Sequence, residues 1–125
     1  MVKYRDVKIS NKSYGYSIVD FSNYTLVILQ NSGSASASEI MIGTIKDYYP
    51  DTILIGETTY GKGSVQTIKQ YVDGSSLKYT IAKWYTGKNE IGIDGIGIEP
   101  DIELPIDVKQ FEQGMDNQLN KALQQ

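Results

Sequence analysis

Two short apolar runs constrain this 125-residue chain more than any other feature: Leu26-Val27-Ile28-Leu29 and Ile53-Leu54-Ile55. Each is far below the roughly 20 apolar residues of a membrane span. Each also lacks polar alternation, the pattern of a strand covered on both faces. Between them, Ile40, Met41, Ile45 and Tyr48 recur at helical spacing. Pro50 ends that segment, because the residue before a proline avoids the helical region. Strand, helix and strand with short loops form a βαβ unit, whose crossover is almost always right-handed. The sequence thus predicts an α/β fold, a mixed sheet with flanking helices, with strands over 24–30 and 52–56 and a helix over 36–48.

The remaining segments are expected to extend this core. Residues 2–9 read as an edge strand or hairpin arm, and 10–23 as a turn-rich connection. Asp73-Gly74 is a strong turn signal between strands over 64–72 and 77–86. Residues 87–97 form a glycine-punctuated loop, and 98–104, interrupted by Pro100, is at best an edge strand. A terminal helix over 107–124 carries the sparse stripe Val108, Phe111, Met115, Leu119 and Leu123, with Gly114 weakening its middle. With 40% hydrophobic and 22% charged residues, the chain fits a single domain over 1–125 with a core of its own. The net charge of -3 comes from interspersed signs. No basic stripe exists to track a phosphate backbone, so nucleic acid is excluded as a partner.

The chain contains no histidine and no cysteine. Amide hydrolysis without a metal is then left chiefly to a serine nucleophile with a lysine base. Two stretches offer those groups: Gly33-Ser-Ala-Ser-Ala-Ser-Glu39, and Gly56-Glu-Thr-Thr-Tyr-Gly-Lys-Gly-Ser-Val-Gln66. The first lies at a helix N-terminus, where unpaired N–H groups and the helix dipole favour a developing oxyanion. Spacing alone does not rank Ser34, Ser36 and Ser38. Ser36 followed by Glu39 is also a capping box, which would explain the pair without any chemistry.

Lys62 sits between Gly61 and Gly63 just past the second strand. A lysine acts as a base only when neutral, so its ordinary pKa of about 10.4 must fall by several units. Burial against Tyr60 and Val65 would supply that; a solvated turn lysine is the competing explanation. In a regular strand the side chains of positions 62 and 66 are ~13 Å apart on one face. A bulge at Gly63 would be needed to shorten that path. Gly56-x-x-x-x-Gly61-Lys62 also approaches a phosphate-binding loop, a P-loop-like nucleotide-binding module. Gly63 occupies the position that should hold magnesium through Ser or Thr, and Val65-Gln66-Thr67-Ile68 reads as strand where that motif needs a helix.

Taken together these blocks resemble the carboxyl-terminal processing proteases, the tail-specific members of the S41 peptidase family. The resemblance runs from about Leu26 to Leu104. It continues through Asp73-Gly74-Ser75, Leu77-Lys78 and Ala82-Lys83-Trp84-Tyr85-Thr86 to Gly97-Ile98-Glu99-Pro100-Asp101. It implies a core of the S41/ClpP-crotonase-like type and a serine endopeptidase with no cofactor and no metal. Ser36 would be the nucleophile, Lys62 the general base and Gln66 the residue that orients the lysine. The backbone N–H of Ala37 would be one oxyanion donor. Substrates would be proteins or peptides with free apolar C-termini. The full-length protein would work outside the cytoplasm, periplasmic or at the cell surface, with a homo-oligomer allowed.

The family's upstream PDZ module and its Asp-Leu-Arg-x-Asn-Pro-Gly-Gly stretch, the source of the second oxyanion donor, have no counterpart in these 125 residues. The chain therefore looks like the C-terminal part of a catalytic core, weakly active or inactive alone. A non-catalytic scaffold retaining the protease fold is the alternative from outside enzymology.

Overall fold

The computed structural model describes residues 2–4, 7–9, 21–86 and 91–125. The elements in order are β1 (Val2–Tyr4), β2 (Val7–Ile9), β3 (Val27–Gln30), α1 (Ala37–Tyr48), β4 (Ile53–Gly56), β5 (Ser64–Gln70), β6 (Ser76–Thr86), β7 (Ile91–Gly92), β8 (Ile102–Glu103), α2 (Val108–Glu112) and α3 (Asn117–Ala122). The fold is α/β, as expected. Parallel and antiparallel pairing both occur but are divided between two sheets.

The parallel sheet has the order β3-β4-β8 and is the βαβ unit with a short third strand. Val27 faces Ile53 and Gln30 faces Gly56, so the two apolar runs lie in register along their whole length. Leu54 and Ile55 are buried at 2% and 0% exposure. The expectation for β3 needs correction: Leu29 is 39% exposed, so this strand is not covered on both faces. The segment after Pro100 does pair, as β8, with Ile102 opposite Ile55. Asp101 fixes it there, its Oδ2 accepting from the Leu54 N–H and the Lys46 ammonium, each at 2.8 Å.

The antiparallel sheet has the order β2-β1-β6-β5, with β7 also pairing β6. Within the segment expected as an edge strand or hairpin arm, β1 and β2 pair antiparallel, and β1 also pairs β6, with Val2 opposite Trp84 and Lys3 opposite Lys83. Asp73-Gly74 makes the expected turn of the β5–β6 hairpin; the Asp73 carboxylate accepts from the Ser75 N–H and hydroxyl. Most of the turn-rich segment expected over 10–23, namely 10–20, lies outside the described residues, as do 87–90 of the glycine-punctuated loop. That loop also contains a strand the sequence reading did not expect, β7.

α1 packs on β6, and α3 on β3 and β4. Ile42 of α1, Ala82 of β6 and Ile93 join Leu54 and Ile55 in the core. The single terminal helix expected over 107–124 is instead two short ones. Gly114, at φ 81°, breaks the path. Asp107 caps α2 by accepting from the Lys109 and Gln110 N–H groups, and Asp116 caps α3 by accepting from Leu119 N–H. The stripe Val108, Phe111, Met115, Leu119 and Leu123 stays exposed.

The close approach of β3 and β4 has a specific requirement at Gly56. Its φ is +132°, and a Cβ there would lie 1.8 Å from the Gln30 carbonyl oxygen. Gly56→Ala is therefore expected to destabilise by more than about 3 kcal/mol, combining backbone strain with a backbone clash. Urea denaturation checks this; an unchanged midpoint would contradict the register described.

Candidate active site

The helix α1 begins immediately after Ser36, which is its N-cap. Ser36 has φ 55° and ψ -110°, and among the described residues it is the one non-glycine residue at positive φ. Such a conformation costs on the order of 1–3 kcal/mol and persists only where its surroundings enforce it. The enforcement is visible: the Ser36 N–H donates to Glu39 Oε2 at 2.8 Å. The capping partner read from sequence is therefore present. As the first helical residue, Ala37 has no intrahelical acceptor for its N–H, which leaves that donor available beside the Ser36 side chain.

Glu39 does more than cap. It is completely buried, at 0% exposure. Its Oε1 accepts from the Thr59 hydroxyl and the Gly61 N–H, both at 2.6 Å. Its Oε2 accepts from the Lys62 N–H at 2.9 Å as well as from Ser36. Two donors on each oxygen satisfy a carboxylate that would otherwise be costly to bury. Burial alone would raise its pKa; the hydrogen bonds from Thr59, Gly61, Lys62 and Ser36 outweigh it and hold the acid below its ordinary value.

The geometric consequence is direct. The backbone nitrogens of Ser36 and Lys62 bond one oxygen at 2.8 and 2.9 Å, so they lie within the combined length of 5.7 Å of each other. A second tie runs alongside, from the Tyr60 N–H to the Ser34 carbonyl at 2.9 Å. The serine turn and the lysine turn, 26 positions apart in the chain, are thus one constellation. The lysine turn is also anchored from behind. Gly95 N–H donates to Gly61 O at 2.8 Å, and Thr59 exchanges backbone and hydroxyl bonds with Ile98. A Cβ at Gly63 would lie 2.6 Å from Asp94 N, so only glycine permits this approach.

An open groove of about 770 Å³ runs beside the serine turn and over the lysine turn, with Ser36 itself just outside its lining. Gly33 and Ala35, on the turn that carries Ser36, line it together with Lys62, Ser64, Gln66 and Lys78. Lys62 and Gln66 therefore face one space. Two expectations need correction. Lys62 is exposed and Tyr60 is 67% exposed, so these neighbours do not enclose the lysine. The strand irregularity lies between Val65 and Gln66, not at Gly63, and its extra residue, Ile81, is on β6. The phosphate-loop alternative lacks its helix, because the segment after Lys62 is β5. Sequence reading found Glu39 as a cap but missed its bonds to Thr59, Gly61 and Lys62, which no local pattern reveals.

An acid whose pKa is lower folded than unfolded binds fewer protons when folded. Its stabilisation is complete above the unfolded value of about 4.3 and fades as pH falls through the folded value. Glu39→Gln is expected to lower stability at pH 7 by about 1–3 kcal/mol, because an amide cannot accept four donors. It should also remove part of the acid-side loss. Denaturation midpoints across a pH series check both; a variant matching the wild type at every pH would overturn the role given to Glu39.

Similarity to known proteins follows the same residues. The family model for peptidase family S41 matches residues 1–104. The chain is similar to the carboxy-terminal processing protease CtpA of Bacillus subtilis (strain 168), 51% identical over 81 residues, covering 63% of this chain and 17% of that protein. It is 44% identical over 88 residues to a probable CtpA-like serine protease of Staphylococcus aureus (strain N315), covering 70% of this chain and 17% of that protein. Among solved structures, a photosystem II D1 C-terminal processing protease matches with TM-score 0.58 and 40% identity, over 67% of this chain and 21% of that one. The tricorn protease shares the fold at TM-score 0.62 and 19% identity, over 91% of this chain and 12% of that one. The chain thus spans about a sixth of the curated relatives it matches, and the residues matched by the family model contain both the serine and the lysine turns. With the match covering most of its length, the chain belongs to peptidase family S41.

Proposed function

We propose that this chain is the C-terminal portion of the catalytic core of a serine endopeptidase that cleaves protein substrates near their C-termini. The observation that supports this reading is the shared Glu39 oxygen, which accepts from the backbone N–H groups of both Ser36 and Lys62. The names of the relatives, carboxy-terminal processing proteases, support the substrate class. Substrates with free, apolar C-terminal tails, an extracytoplasmic location and a homo-oligomeric full-length protein are the finer parts of this reading. No helix among the described residues is long and apolar enough to cross a membrane.

In the proposed mechanism, neutral Lys62 takes the proton from the Ser36 hydroxyl as Oγ bonds to the scissile carbonyl carbon. The carbonyl oxygen becomes an oxyanion against the Ala37 N–H. Collapse breaks the C–N bond, and Lys62 returns the proton to the leaving amine. Water, deprotonated by the same lysine, then attacks the acyl ester; the acyl C–Oγ bond breaks, the product carboxylic acid leaves, and Lys62 returns the proton to Ser36 Oγ. Gln66, on the groove wall, orients the lysine.

Peptide cleavage by the full-length protein tests this. Ser36→Ala and Lys62→Ala should each lose at least about 10³-fold in kcat, with wild-type activity rising with pH. An active Lys62→Ala variant with an unchanged pH profile would remove lysine from the chemistry. The 125-residue chain alone should be nearly inactive, since one oxyanion donor is worth about 100- to 1000-fold. Robust Ser36-dependent cleavage by it would contradict that.

A further inference from the structure

We infer that Lys78 is a specificity residue of this groove, binding a carboxylate of the substrate chain; the inference rests on the endopeptidase reading above. Three independent observations lead to it.

The first is register. Ser64 faces Lys83 and Val65 faces Ala82, but Gln66 faces Thr80 and Ile68 faces Lys78. Ile81 is therefore an extra residue on β6. Opposed residues project to the same face, so Gln66, Ile68, Lys78 and Thr80 share one. Without the bulge, Gln66 would face Ile81, and Tyr79 and Leu77 would occupy that face in place of Thr80 and Lys78. Bulges beside active sites commonly re-aim side chains in this way. Here the bulge replaces an apolar face with one that carries a cation diagonal to Gln66, a neighbour position at about 7–8 Å that long side chains span.

The second is placement. Lys78 lines the same groove as Lys62, Ser64 and Gln66. The third is charge. Lys46 is paired with Asp101 at 2.8 Å and Lys83 with Asp94 at 3.0 Å. Asp94 is the acid on the groove wall, and Lys83 already holds it. Among the described residues Lys78 has no carboxylate partner. Among the described residues the groove thus presents Lys78, like Lys62, without a compensating carboxylate.

The ligand chemistry is a carboxylate, available either from an Asp or Glu side chain or from the substrate's own C-terminus. The test uses the full-length protein and peptide sets in which Glu or Gln is scanned across both sides of the scissile bond. Each peptide is made as the C-terminal acid and as the amide. The wild type is expected to prefer Glu over Gln at one position, or acid over amide, by about two- to fivefold in kcat/KM, less at high salt. Lys78→Met should bring that ratio to one, Lys78→Arg should keep it, and Lys78→Glu should reverse it. The arm that responds identifies the source of the carboxylate. Binding of the same peptides to Ser36→Ala, with and without Lys78→Met, gives a readout that needs no chemistry.

Ser36-dependent cleavage with a ratio unaffected by Lys78→Met overturns the inference alone. A uniform loss across all peptides with the ratio intact does so too. Lys78-dependent carboxylate binding without any cleavage supports it while removing the endopeptidase reading.

Discussion

The structure depends on one buried carboxylate. Glu39 lies at the start of α1 with no solvent exposure, and it accepts hydrogen bonds from Ser36, Thr59, Gly61 and Lys62. Burying an anion is expensive unless its acceptor sites are filled, and here they are filled by the backbone N–H groups of the serine and lysine turns and by the Thr59 hydroxyl. The electrostatic cost of burial thus becomes a geometric specification. The ion can be accommodated only when Ser36, Gly61 and Lys62 converge. The same bond stabilises the unfavourable backbone of Ser36, placing local strain and its compensation within one turn.

Around that carboxylate the two sheets divide the work. The parallel sheet supplies a rigid floor: β3 delivers the serine turn and β4 the lysine turn, both from the C-terminal ends of their strands, where α/β folds place their sites. The antiparallel hairpin β5–β6 supplies the groove wall. Its bulge at Ile81 sets which side chains of β6 accompany Gln66. The turn through Asp94 and Gly95 packs against the lysine loop, Gly95 N–H donating to Gly61 O and Asp94 lying close against Gly63.

What the sequence made legible follows from the range of each interaction. The apolar runs and the helical spacing between them are local signals, and β3, α1 and β4 appear where those signals put them. The Ser36–Glu39 cap is equally local and was read correctly. Its reach to Thr59, Gly61 and Lys62 spans 20 to 23 positions and leaves no trace in the pattern. The assignment of Ser36, Lys62 and Gln66 to roles came from family resemblance, since spacing did not rank the serines. The terminal helix was misread because its stripe continues through Gly114. The signals for a break, Asp107 and Asp116 each opening a new helix, were present in the sequence but outweighed by periodicity. Strand register is invisible in alternation alone, which is why a bulge expected at Gly63 lies instead opposite Val65 and Gln66.

We propose that Glu39 makes Ser36 reactive by holding the serine and lysine turns together. The most direct measurement is the rate at which a fluorophosphonate labels Ser36 in the full-length protein, with the modified residue located by mass spectrometry. The Ser36 oxygen displaces fluoride only when the base is in place, so the rate reports the constellation without any need for a known substrate. The account predicts rapid labelling at Ser36 in the wild type and slowing by about 100-fold in Glu39→Gln, the scale of a displaced catalytic group. Labelling of a folded Glu39→Gln protein at the wild-type rate would contradict it.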